Sequence, residues 1–414
     1  MAGVVGLVGI GMAGEAAAAG FMLREQSSEG IGNSFAGSAA KAYNPSTIWY
    51  NPAGMTLLDG HYLASSTTYI MPQARFEGTG TSIGNPASTN GGGDAIADAL
   101  MGAMYGMYSF SKDLKFGVAV TSPFGLRTKY PTNAAGRYFG VESSITNIHV
   151  NPNVAYRVSP NLSIGGGIDV SWLEATLSGA FNQKVTGGAV DALVTNKGDA
   201  FGVGLNAGLL YEFSPTSRMG LTYRSAIHHT LAGDVTNTGS GVFLAMKPAG
   251  SIRAAVTLPQ QATLSFYHEI DPKWAVMADL QWTGWSSMKD ITINYTNGTP
   301  VSATQEHWRD TWFASLGVNY KMVPGHVLHF GTAFDQGVVK TAALRTPRLP
   351  DSDRFWLSTG YTWDISKAVQ WNIGYAHIFV KEADTALTDA FGNTLTGKYN
   401  GSVDMISTSF SYKF

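Results

Sequence analysis

The chain has 414 residues, a formal net charge of −2, no cysteine, and charged side chains at only 14% of positions. A cytosolic globule usually carries about 25% charge, and this balance offers no basic footprint for nucleic acid. Thiolate chemistry and Cys-based metal sites are excluded, and an oxidising compartment is compatible with the composition.

Residues 1–18 read as a secretory leader: an apolar core from Val4 to Met12, then small residues through Ala16-Ala17-Ala18. Cleavage after Ala18 would leave Ala19-Gly20-Phe21 as the mature start, although no Lys or Arg precedes the apolar core. The same stretch contains Gly9-Ile10-Gly11-Met12-Ala13-Gly14, which matches a dinucleotide-binding fingerprint. That motif needs a following helix, a second strand and an acidic residue about 20 positions on. A small-residue run and Ser/Gly-rich sequence follow instead, so no nucleotide or other cofactor is expected.

Residues 19–60 show no alternation. Trp49, Tyr50, Met55, Leu57 and Leu58 are too apolar for a solvated tail, and two Asn-Pro steps, at Asn44 and Asn51, fix turns. A compact N-terminal hatch packed inside a cylinder is the expectation.

From residue 61 the chain alternates with period two, the mark of strands with one apolar and one polar face. Fourteen strands are expected near 61–71, 104–111, 114–122, 143–158, 162–176, 199–213, 218–231, 260–270, 273–293, 309–321, 326–337, 354–363, 368–380 and 402–414. In the sixth, Phe201, Val203, Leu205, Ala207, Leu209, Tyr211 and Phe213 alternate with Gly202, Gly204, Asn206, Gly208 and Glu212. Connections after even-numbered strands are short turns such as Lys112-Asp113 and Asp271-Pro272; those after odd-numbered strands run roughly 15 to 30 residues. Short turns on one side and long loops on the other, with an even strand count, are the arrangement of bacterial outer-membrane barrels. Asp169, Glu212, Arg224, Asp279 and Arg354 all fall on the lumen-side phase, as they must when a cation at the bilayer midplane costs about 2–4 kcal/mol. The final strand places Ile406, Thr408, Phe410, Tyr412 and Phe414 on one face and Ser407, Ser409, Ser411 and Lys413 on the other. The fold class is therefore all-β, a 14-stranded antiparallel transmembrane barrel over residues 61–414. Its oily exterior would meet outer-membrane lipid and lipopolysaccharide.

Several motifs in order resemble those of the FadL-type outer-membrane transporters of long-chain fatty acids and, in some branches, aromatic hydrocarbons. They are Ala19-Gly20-Phe21 with Ser27-Ser28-Glu29-Gly30, Asn51-Pro52-Ala53-Gly54-Met55, Ser122-Pro123-Phe124-Gly125-Leu126, Leu258-Pro259-Gln260-Gln261, Trp282-Thr283-Gly284-Trp285-Ser286 and Leu349-Pro350-Asp351-Ser352-Asp353-Arg354. The resemblance implies a monomeric barrel with an N-terminal hatch, an external low-affinity groove, an inner pocket and a lateral exit through a kinked strand. Phe21 and Asn51-Pro52-Ala53 are the expected mobile hatch parts.

Apolar cargo loses about 0.8 kcal/mol per methylene on leaving apolar contact, so a sixteen-carbon tail faces roughly 12 kcal/mol as an upper bound. Passage then requires a series of weak apolar patches, and exposed apolar loop residues are the sign of capture. Candidates are Val185, Ala189, Val190, Leu193 and Val194 after strand five, Val242, Phe243, Leu244 and Met246 after strand seven, and residues 95–105 in the first long loop. These residues either line a groove or pack loop on loop. Arg224 and Arg354 point inward and either contact a substrate carboxylate or join a structural charge network. No catalytic or metal site is expected: Gly80-Thr81-Ser82-Ile83-Gly84 lies in a loop rather than at a nucleophile elbow, and His228, His268 and His377 have no evident serine partner. A general diffusion porin would lack the 19–60 segment.

Overall fold

A computed structural model of the chain describes residues 19–188, 190–241, 249–296 and 302–414. Fourteen antiparallel strands close on themselves: β1 (Tyr62–Ser82), β2 (Ala99–Ser109), β3 (Leu114–Thr121, resuming at Gly125–Lys129), β4 (Glu142–Ser159), β5 (Leu162–Phe181), β6 (Ala192–Ser214) and β7 (Ser217–Arg224, then Ile227–Asn237). The circuit continues through β8 (Gly250–Leu258, then Gln261–Glu269), β9 (Trp274–Thr283, then Asp290–Tyr295), β10 (Thr311–Val323), β11 (His326–Asp335), β12 (Arg354–Asp364), β13 (Val369–Thr388) and β14 (Thr394–Lys413). β14 pairs back onto β1 from Tyr62↔Lys413 to Thr81↔Thr394, which removes the sheet edge. Closure is what hydrocarbon demands, because it offers backbone groups no hydrogen-bond partner.

The side-chain period follows the sequence. Ile406, Phe410, Tyr412 and Phe414 are exposed on the outer wall, whereas Ser407 and Ser411 are buried. Connections after even-numbered strands are tight, and both ends of the barrel domain lie at the turn side. The opposite loops are shorter than expected after β5 and β13, where only residues 182–191 and 389–393 intervene. The cause is ladder growth beyond the membrane: β5 and β6 stay paired out to Phe181↔Ala192, and β13 and β14 to Thr388↔Thr394. Leu193 and Val194 are therefore strand residues, as are Leu100 to Tyr105 on β2.

Residues 19–60 run through the lumen, nearly all buried, with short helices at Ser28–Gly32 and Thr47–Tyr50 and a 3-10 turn at Pro52–Leu57. Their backbone touches the wall because the wall presents glycine there. A Cβ at Gly331 of β11 would lie 2.1 Å from the Asn33 carbonyl carbon, and one at Gly220 of β7 would lie 1.9 Å from the Ala39 oxygen. Polar anchors complete the seating. Asp279 accepts from the main-chain N–H of Gly37 (2.6 Å) and Ser38 (3.1 Å), and the Ser28 and Ser407 hydroxyls meet at 2.7 Å. Asn51 donates to the carbonyls of Ala39 (2.6 Å) and Leu209 (3.1 Å) while accepting from Ala53 N–H. One Asn side chain thus ties the 3-10 turn to both the neighbouring loop and the wall.

Gly220→Leu should leave the barrel assembled but expel the 36–40 loop, since overpacking against fixed backbone costs upward of about 1–3 kcal/mol. Limited proteolysis of detergent-purified protein checks this. Cleavage within residues 19–60 is expected in the variant and not in the wild type.

Candidate functional site

Pro123 has no N–H to give a ladder, and β3 breaks around it at Ser122-Pro123-Phe124. β2 pairs with β3 only up to Met104↔Val120. Beyond the break, Gly125–Lys129 pairs with β4, and on its other side the barrel wall reaches it, among the described residues, through the Ile96↔Thr128 bridge and the Lys129 N–H to Ala95 carbonyl bond. The leading segment occupies this notch from within. Leu23 N–H donates to Pro123 carbonyl at 2.7 Å, and Gly125 N–H donates to Phe21 carbonyl at 2.9 Å.

Phe21 is held in an aromatic box. Its ring stands edge-on to Trp285 (4.9 Å between centroids), Trp308 (5.8 Å) and Phe124 (5.9 Å), and it is 3% exposed. The residue before it must be glycine: Gly20 has φ +65, and a Cβ there would lie 2.7 Å from the Trp285 ring. Trp285 reaches the lumen because β9 leaves the wall after Thr283 and resumes at Asp290. β7 and β8 break beside it, at Ser225-Ala226 and Pro259-Gln260.

One side of Phe21 faces an apolar cavity. Leu173, Leu231, Ile252, Val256, Ile293 and Trp308 are among its walls, and among the described residues Asn196 is the one amide side chain lining it, with no Arg or Lys. Below the Phe21–Leu23 strip lies a second cavity of about 720 Å³, mixed in character, with Arg24, Asn206, Arg224, Asp279 and Gln281 in its lining.

The leading segment is tied down by charge. The Ala19 N–H lies 3.0 Å from the Asp335 carboxylate, which Arg24 (3.7 Å) and Arg354 (3.6 Å) flank. Arg354 also donates to Asp351 at 2.5 Å, and Arg24 stacks 4.1 Å over Phe313. Arg224 donates to Asp169 at 2.5 Å and to the Trp49 carbonyl at 2.8 Å, with its guanidinium 3.6 Å over the Trp49 ring. Both arginines, expected either at a substrate carboxylate or in a structural charge network, sit in ion pairs with buried aspartates. Arg348, which the sequence did not single out, is a half-buried cation in the loop between β11 and β12. Its Nη1 donates to Ser143 Oγ at 3.1 Å, and Ser143 pairs with the cavity-lining Leu177. Burial lowers its pKa to about 10. Glu306, in the adjoining loop, is pushed up to about 7 by burial and accepts the Trp308 indole N–H at 2.9 Å.

Of the expected groove residues, Val190 is 72% exposed, while Val194 packs beside Leu173 and Leu231 on the apolar cavity's margin. Leu193 is half-buried on β6. Val242, Phe243, Leu244 and Met246 lie outside the described residues, as does Ala189. His268 does have a serine partner, against expectation: its Nδ1 lies 2.7 Å from Ser217 Oγ, since the two meet on neighbouring outward positions of β8 and β7. Its Nε2 has no hydrogen-bond partner among the described residues, so no third group orients the ring for base catalysis. Among the described residues no cluster of His, Asp or Glu could hold a metal. The aromatic box was legible only as separate motifs; nothing in the spacing placed Phe21, Phe124, Trp285 and Trp308 together.

Glu25 is buried beside Arg24 with neither carboxylate oxygen hydrogen-bonded among the described residues. Burial pushes its carboxyl up to about 7, against the opposing pull of main-chain N–H groups and Arg24. The seated segment therefore holds this proton more tightly than an unfolded chain, whose ordinary glutamate value is 4.5. The stabilisation is full below about 4.5 and is lost as pH rises through about 7. Hydrogen exchange of residues 19–27 should be slower near pH 5 than near pH 8, after correction for intrinsic rates. Glu25→Gln should flatten that difference.

The chain matches the family model described as outer membrane protein transport protein (OMPP1/FadL/TodX) over residues 9–414. It is 27% identical to the long-chain fatty acid transport protein of Escherichia coli O6:H1, covering 97% of this chain and 95% of that one. It is 25% identical to outer membrane protein P1 of Haemophilus influenzae, covering 95% and 93%. Among solved structures, a Pseudomonas aeruginosa FadL homologue superposes with a TM-score of 0.89 at 23% identity, covering 96% of this chain and 100% of that one. The Pseudomonas putida toluene transporter TodX superposes at 0.72 with 16% identity, covering 97% and 99%. A closed, internally filled 14-stranded barrel and a match over nearly the whole length lead to one assignment: the chain belongs to the OMPP1/FadL/TodX family of outer membrane transport proteins.

Proposed function

We propose that the protein carries hydrophobic molecules, long-chain fatty acids foremost, passively from the cell exterior into the apolar cavity and out sideways at the β3 break, past Phe21. The observation that carries this reading is the position of Phe21, set between an apolar cavity and the notch in β3. Residues 19–60 act as the hatch, and only its leading strip has to move, because the remainder is seated against wall glycines and Asp279. Leader removal after Ala18 would turn the Ala19 N–H into an ammonium beside Asp335, strengthening its hold on the strip through a charge-assisted bond.

The energies allow such a latch. Unseating a buried phenylalanine costs about 3–5 kcal/mol, and a cargo burying five methylenes returns about 4 kcal/mol. A long acyl chain can therefore displace the ring without external energy. External capture falls to Val190 and to Val242, Phe243, Leu244 and Met246 of the stretch after β7, with Leu193 and Val194 leading inward. One barrel suffices, since each encloses its own cavity, and its upper rim meets lipopolysaccharide.

Fatty acid and aromatic hydrocarbon differ by one charge. An acid would lay its tail in the cavity and its carboxylate toward Arg348, whereas toluene would need no cation. The uncharged lining favours the hydrocarbon as second reading.

Reconstituted uptake of labelled oleate and toluene tests both. Phe21→Ala should speed passage of either cargo several-fold, and unchanged rates would remove Phe21 from the path. Arg348→Ala should slow oleate alone; equal rates for both cargoes in that variant favour the hydrocarbon. Asn51→Ala should lower uptake without lowering barrel assembly, and equal loss of both would make that residue structural.

A further inference from the structure

We propose that the seam between β6 and β7 is a second lateral exit from the apolar cavity, closed by Ile227 and independent of Phe21. This rests on the transport reading above. Ladder pairing between the two strands runs up to Asn206↔Arg224 and resumes only at Asp199↔Ala232. Between these points residues 200–205 of β6 have no ladder partner on β7, apart from the Ser225 N–H and hydroxyl bonds to Leu205. Leu205 turns its backbone polar groups toward β7, so Val203 and Phe201, two and four positions on, turn theirs the same way. Such groups facing hydrocarbon are costly, and irregular backbone at membrane depth belongs where it lines a cavity.

The outward face beside the gap is apolar and open. Phe201, Val203 and Leu205 are 73%, 64% and 60% exposed, whereas Leu209 and Tyr211, lower on the same outward face with β7 beside them, are 36% and 39% exposed. Their apolar character places the opening against acyl chains rather than water. On the inner side the returning arm of β7 crosses Gly202 and Gly204. A Cβ at Gly204 would lie 2.6 Å from Ile227 Cγ1, and one at Gly202 would lie 2.7 Å from Ile227 Cγ2 and 2.8 Å from His229 Nε2. The seam is thus shut by side-chain contact on glycine and not by a ladder. Gly198 and Asn196 of β6 and Leu231 of β7, at its upper end, line the apolar cavity itself. Cargo at the seam would pass directly from cavity to lipid without meeting the aromatic box.

The natural chain has no cysteine, so a staple can be added on a clean background. The replaced side chains at Gly204 and Ile227 meet within the reach of a disulfide, whose Cβ atoms sit about 3.5–4.5 Å apart. The test is the Gly204→Cys/Ile227→Cys protein in vesicles, comparing uptake of labelled oleate in the oxidised and reduced states of one preparation. Oxidation should remove about half of the flux, reductant should restore it, and oleate binding should stay constant. Equal flux in both states, with wild-type protein active, overturns the seam exit. Ile227→Ala should raise flux, including in a Phe21→Trp background where the other route is obstructed; no rise there also overturns it. Absence of saturable uptake by the wild type would instead sink the transport reading itself.

Discussion

Hydrocarbon accepts no hydrogen bonds, and that constraint organises the whole molecule. Every backbone group that meets the membrane must find a partner in the wall, so the sheet closes from β1 through β14 and back onto β1. Charge is turned inward for the same reason, which leaves Asp169, Asp279 and Asp335 buried in the lumen. Buried carboxylates need partners, and the leading segment supplies many of them: the Gly37 and Ser38 amides to Asp279, and Ala19 and Arg24 to Asp335. The wall requirement and the filled interior are thus one solution, not two.

A complete ladder is impermeable, so the transport proposed above needs places where the ladder fails. Those places are few and chemically marked: Pro123 in β3, Ser225-Ala226 in β7, Pro259 in β8, and the departure of β9 at Gly284. The last three are consecutive strands, and together they free the space in which the aromatic box and apolar cavity sit. Two of these breaks have a local cover. At β3 it is the Phe21–Leu23 strip, held by two main-chain hydrogen bonds and the Phe21 ring, and at β6–β7 it is a side chain lying on glycine. Either is a shorter hold than a run of ladder bonds in hydrocarbon.

The division between rigid and movable parts follows the same logic. Glycine at Gly220 and Gly331 lets the backbone of the leading segment touch wall backbone, and such contacts have no side chain that could rotate aside. The 19–27 strip is different: two main-chain bonds at the β3 break, one aromatic ring, one buried carboxylate pairing and the protonation of Glu25 hold it.

Much of this architecture was legible in one dimension. Period-two alternation fixes which side of a strand meets lipid, and turn chemistry fixes parity, because both are local consequences of backbone geometry. Phe201 to Phe213 and Ile406 to Phe414 therefore announced the outer wall, whereas the breaks at Pro123, Ser225-Ala226, Pro259 and Gly284 were not read from the pattern. Strand length above the membrane was not legible, since β5–β6 and β13–β14 continue by pairing with each other rather than by any change in their own pattern. The meeting of Phe21 with Phe124, Trp285 and Trp308, and of Ala19 with Asp335, was decided only in three dimensions. Those residues lie up to 316 positions apart, and nothing but closure of the barrel and the seating of its leading segment brings them together.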